Sequence, residues 1–175
     1  MRHVLATALT GLAVIAAGHA AQAQSLVSAD NPNYSVFAQQ QNAAYPLDGS
    51  NTTLSFKTSK ANEAVQLTFS GFCGAKQTAT DGSGGAITSG FVQSFFVIDG
   101  NLVGEAGNAN ALCYWQLAPI NTLSSVGNAV AAHQRAVVAT PGVHTIAVVV
   151  QSSFPPGNGS NLLAELGQTH VDVSK

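Results

Sequence analysis

The sequence predicts an all-β protein: a single antiparallel β-sandwich or jelly roll of about eight short strands, following a cleaved signal peptide. Three observations carry this expectation. Apolar residues recur with period two in several segments, turn signals interrupt them every 8 to 15 residues or so, and the chain of 175 residues suits one domain. Only 8% of the residues are charged while 46% are hydrophobic, and the net charge is -2. Such a composition excludes disorder, and it excludes a nucleic-acid binder, which needs clustered Lys and Arg.

Residues 1–23 read as the signal peptide. Arg2 and His3 precede an apolar stretch from Val4 to Ala17, and Ala21-Gln22-Ala23 offers small residues to a signal peptidase. The stretch is shorter than the roughly 20 residues that cross a bilayer, so no transmembrane segment is expected in the mature chain. Export to the periplasm or the cell exterior implies an oxidising compartment, where Cys73 and Cys113 are expected to pair. Residues 24–50, broken by Asn31-Pro32, Tyr45-Pro46 and Asp48-Gly49-Ser50, read as an extended polar lead-in with one strand near Tyr34 to Ala38.

The β-sandwich domain is expected over residues 51–175. Leu54 and Phe56 mark a strand in 53–58. Val65, Leu67, Phe69, Gly71 and Cys73 then share one face of the next strand, with Gln66, Thr68 and Ser70 on the other. Residues 81–90 hold four glycines with no Gly-Lys-Ser or Gly-Lys-Thr, hence a loop rather than a phosphate cradle. Phe91 to Ile98 is a dense apolar strand, and Asp99-Gly100-Asn101 turns it into a return strand at Leu102-Val103. Ala111 to Leu117 is a further short strand. Residues 124–139 fit helical spacing as well as a strand, and the turn at Thr140-Pro141-Gly142-Val143 favours a strand at their end. His144 to Val150, Leu162 to Leu166 and His170 to Val173 complete the count.

The order Leu54-Ser55-Phe56-Lys57-Thr58, Leu67 through Cys73, Val97-Ile98-Asp99-Gly100, Leu112-Cys113 and Pro141 through Ile146 resembles a layout found in uncharacterised bacterial secreted β-sandwich proteins. The resemblance spans about 53 to 151. It implies fold and export, and no activity at any residue.

Catalytic signatures are missing: there is no Gly-x-Ser-x-Gly elbow, no His-Glu-x-x-His helix and no Ser-x-x-Lys. Most carboxylates fall in turn segments, Asp172 being the clearest strand-borne one. His133, His144 and His170 lack the spacing of a compact metal motif, and the Asp-Gly turns lack the ligands of a calcium loop, so neither metal nor cofactor is expected. About a third of the residues beyond Ala23 are Ser, Thr, Asn or Gln, a surface suited to sugars or protein contacts. Tyr114 and Trp115 alternate across any strand, so one of them faces out as a candidate binding residue, while Trp115 packed against the disulfide is the competing reading. His144 shares a face with Ile146, Val148 and Val150 and is expected to be structural: buried, neutral near pH 7 and hydrogen-bonded to a nearby loop. The function expected is a non-catalytic exported module that binds a glycan or a surface protein. A surface-layer subunit joined by strand addition, and a small hydrolase, are the alternatives, and homo-oligomerisation is left open.

Overall fold

The computed structural model describes residues 24–37, 42–77, 88–104, 110–117, 125–153 and 162–175. The signal-peptide expectation, residues 81–87 of the loop expected over 81–90 and the loop reading at 154–159 lie outside the described residues, while Thr88, Ser89 and Gly90 form strand rather than loop because they pair with Leu117, Gln116 and Trp115. Ten strands are present among them: β1 (Ser25–Phe37), β2 (Asn42–Ala44), β3 (Thr53–Thr58), β4 (Glu63–Gln77), β5 (Thr88–Ile98), β6 (Asn101–Leu102), β7 (Asn110–Leu117), β8 (Ser125–Val138), β9 (Gly142–Ser153) and β10 (Leu162–Ser174). All pairings are antiparallel. Sheet A runs β1-β10-β4-β8. Sheet B has β9 and β5 at its centre, with β2 and β3 sharing the outer edge of β9, and β6 and β7 sharing the outer edge of β5.

Merging those two split edges leaves eight strand positions, four per sheet, and almost every chain connection passes from one sheet to the other. The first strand lies beside the last, and the second position lies beside the penultimate strand. This is jelly-roll order. Of the ambiguous stretch 124–139, residues Ser125–Val138 are strand. The short connection 139–141 carries β8 of sheet A into β9 of sheet B.

Alternation explains the core. On β4, Val65, Leu67, Phe69 and Cys73 point inward, and on β9 His144, Ile146, Val148 and Val150 do so, all buried. On β10 the phase changes. Ala164 and Leu166 face in, then Thr169, Val171 and Val173, because a bulge between Gly167 and His170 places Gln168 at φ 49° and shifts the alternation by one residue. Gly71 of β4 lies beneath this bulge. A Cβ there would sit 2.6 Å from Thr169 Cγ2 and 3.0 Å from the Gly167 carbonyl oxygen, so no side chain fits.

Residues 24–50 contribute more than the single strand expected near Tyr34. β1 runs for thirteen residues along β10, and Tyr45 and Leu47 are fully buried. The Tyr45 hydroxyl donates to the Leu166 carbonyl and its ring meets Phe69 edge-on at 5.5 Å. Asn31, also buried, donates from its side chain to the Pro46 carbonyl at 2.7 Å and accepts from the Asn33 amide. Polar composition disguised this segment, since an edge strand in a jelly roll needs apolar side chains on one face only.

Candidate functional site

Cys73 and Cys113 form a disulfide with 6.0 Å between their Cα atoms. It joins β4 of sheet A to β7 of sheet B. The register between β7 and β5 shifts between Val92 and Gln93, opposite Leu112, so that Leu112 and Cys113 both face the interior, and Tyr114 turns outward. Tyr114 is 68% exposed. Only the backbone of Trp115 is described, as the partner of Gly90, so the question of which way its indole faces lies outside the described residues.

Register supplies a companion that sequence reasoning missed. Tyr114 lies directly opposite Phe91 of β5, which is itself exposed, so two aromatic rings share the outer face of sheet B. Directly opposed side chains of this kind have Cβ atoms roughly 5 Å apart. Two residues along β5, Gln93 stands opposite Gln151 of β9, and the two side-chain amides are hydrogen-bonded to each other. Phe95 and Val149 form the next pair on the same face, and Ser153 flanks Phe91 on its other side. Among the described strand residues of this face, the one charged side chain is Lys57, far away opposite Val143. The arrangement offers aromatic surface beside amide donors and acceptors, with no charged side chain close by among the described residues.

A second cluster lies at the other end of the strands. Asp99 and Gly100, at φ 50° and 78°, make the tight turn between β5 and β6. The Asp99 carboxylate accepts from the Thr145 amide at 2.8 Å and lies 2.7 Å from His144 Nδ1. On the opposite side of the ring, His144 Nε2 is 3.0 Å from the Thr140 carbonyl and 3.2 Å from Thr58 Oγ1. The Thr58 hydroxyl donates to the same Thr140 carbonyl at 2.9 Å. Aspartate, histidine and a hydroxyl in line suggest a nucleophile triad, but the hydrogen bonding contradicts one. The threonine proton is committed to a carbonyl, and Thr58 is buried. Both imidazole nitrogens face acceptors, which suits the doubly protonated ring.

The expectation of a neutral His144 considers burial and leaves out Asp99. Its hydrogen bond to Asp99 raises its pKa above the ordinary histidine value, against the opposing effect of burial, and the same bond lowers that of Asp99. Burial alone would have given the neutral ring. The carboxylate that outweighs it comes from a turn 45 residues away. An open groove of about 390 Å³ beside this cluster is lined by Leu102, Arg135, Val137 and the Asp99 turn.

Other titratable candidates are dispersed. His133 contacts Thr68 and His170 contacts Asp30, and His144 and His170 stand in opposite sheets. Asp172 accepts from Ser25 Oγ, and Asp48 caps its own turn through the Asn51 amide. Glu63 is buried, with its carboxylate against Lys175 Nζ at 2.6 Å and the Ser59 amide at 2.7 Å, and these donors hold its pKa down to about 2. No group of three His, Cys, Asp or Glu suited to a metal occurs among the described residues. No helix there is long and apolar enough to cross a membrane.

No protein-family model matches the chain, and a search of curated proteins finds no match. Among solved structures, one similar chain is the sugar-binding C-terminal domain of EclA, with 11% identity, 89% of this chain and 87% of that chain covered, and a TM-score of 0.30. Another is from the infectious bursal disease virus Gt strain, with 11% identity, 98% and 37% coverage, and a TM-score of 0.34. At such scores the likeness has no bearing on function.

Proposed function

We propose that the protein is an exported, non-catalytic jelly-roll module that binds a neutral glycan on the outer face of sheet B. One observation carries this reading: Phe91 and Tyr114 stand exposed and directly opposed beside the Gln93–Gln151 amide pair, with no charged side chain close by among the described residues. Sugar rings present apolar C–H faces and hydroxyl rims, so aromatic rings stack on the first while amides exchange hydrogen bonds with the second. Binding of this kind is little screened by salt.

A glycan array of neutral and charged oligosaccharides, followed by calorimetry on the best neutral ligand, tests the reading. Tyr114→Ala is expected to weaken that binding about tenfold, an energy of about 1.4 kcal/mol, with no change in the melting curve. Silence across the array overturns the reading. Binding that survives Tyr114→Ala unchanged, or vanishes in 0.5 M salt, does the same.

A further inference from the structure

A jelly roll closed by two open sheets has four edges, and natural proteins blunt such edges with breaks, prolines, bulges or charge. Three of the four are blunted here. The outer edge of β9 is covered by two short pieces, β2 and β3, and that of β5 by β6 and the irregular β7. β1 carries Pro32 and two register shifts.

β8 has none of these devices. It runs for fourteen residues, Ser125–Val138, in unbroken register with β4 from Lys76 opposite Ser125 to Glu63 opposite Val138. It contains no proline and one formal charge, Arg135. Its outward side chains include Ala129 and Ala131, small enough to admit a neighbour closely. Among the described residues no strand pairs with its outer edge.

We propose that β8 is the dimerisation edge of this protein, and that its occupant is β8 of a second copy, paired antiparallel about a two-fold axis near Ala131 and Ala132. Backbone pairing needs an unblunted strand on both sides, and each copy supplies one. Two-fold pairing consumes both edges and closes the assembly at a dimer with one continuous eight-stranded sheet. Charge permits it. With the axis at Ala132 or Ala131, Arg135 lies opposite Ala129 or Gly127 of the partner copy respectively, and the two arginines stand about 20 or about 26 Å apart along the strands. A one-residue slip from such pairings would bring the core-facing side chains of one strand against the solvent-facing ones of the other, which fixes the permitted registers by face.

Analytical ultracentrifugation of the protein as recovered from the cell, over a wide concentration range, is expected to show monomer passing to dimer and nothing larger. The double variant Ala129→Lys, Ala131→Lys adds charge to outward positions only, and is expected to raise the dimer dissociation constant about 100-fold or more. Ser28→Lys with Val36→Lys, placed likewise on β1, is expected to leave it unchanged. Hydrogen exchange of the unmodified protein gives a reading that needs no variant: alternate amides of 126–137 gain protection as the concentration rises. A monomer at every concentration, open-ended oligomers, a dimer indifferent to the β8 lysines, or one weakened equally by the β1 lysines overturns the proposal.

Discussion

Removing the Cys73–Cys113 disulfide is expected to loosen the protein at one identifiable place and to weaken ligand binding with it. The bond closes a loop with a sequence separation of 40, and in the chain-entropy account the loss of a crosslink of that span destabilises by about 4 kcal/mol. For a domain of this size each kcal/mol shifts the melting temperature by roughly 2 to 4 °C, so the double variant Cys73→Ala, Cys113→Ala is expected to melt about 10 °C lower. The effect is not spread evenly. β7 is an edge strand whose one in-sheet partner among the described residues is β5, and the disulfide is its covalent tie to the opposite sheet. Amides of β7 are therefore expected to exchange well before those of β4 and β10. Tyr114 follows Cys113 directly, so the proposed glycan affinity falls alongside. Thermal melts followed by circular dichroism, residue-level exchange and calorimetry on the same variant read all three effects. A melting shift below about 3 °C, or exchange that rises equally in every strand, refutes this account of the crosslink.

Gly71→Ala is expected to cost about 1 to 3 kcal/mol by urea titration, because the added methyl meets Thr169 and the Gly167 backbone rather than a movable chain end. Tyr45→Ala is expected to cost about 3 to 5 kcal/mol in the same titration, as a buried core aromatic would, and thereby to report that residues 24–50 fold with the rest. Ser94→Ala is expected to be neutral or to stabilise by up to about 1 kcal/mol, since its buried hydroxyl has no partner among the described residues. Stability is expected to be flat between about pH 4.5 and 6.5. Below that window it falls as Glu63, held at about 2 in the folded state against 4.5, takes up its proton and loses Lys175; above it, stability falls as His144, whose pKa is raised, loses the proton shared with Asp99. Melting temperatures across pH 2 to 9 check both limbs, and Asp99→Asn is expected to remove the alkaline one.

Much of the fold was legible because alternation is a local property. Val65, Leu67, Phe69 and Cys73 on β4, and His144, Ile146, Val148 and Val150 on β9, face the core as their spacing requires, and Asp99-Gly100 forms the turn its chemistry favours. What was not legible depends on register and sheet membership, which arise from contacts distant in sequence. The bulge opposite Leu112 turns two consecutive residues inward, so simple alternation could not orient Tyr114. Phe91 reads as an ordinary residue of a dense apolar strand until Tyr114 is known to lie opposite it. The strand β1 was obscured because its partner β10 lies far away in sequence, and the raised pKa of His144 because Asp99 arrives from a separate turn.

The central claim, that the aromatic and amide face of sheet B holds a neutral glycan, is tested most directly by nuclear magnetic resonance titration with the best array ligand. The account expects saturable shifts in the ring signals of Phe91 and Tyr114 and the side-chain amides of Gln93 and Gln151, with the Asp99–His144 cluster unmoved. Shifts centred on Asp99, His144 and Arg135, or no saturable shift on the sheet B face, would contradict it.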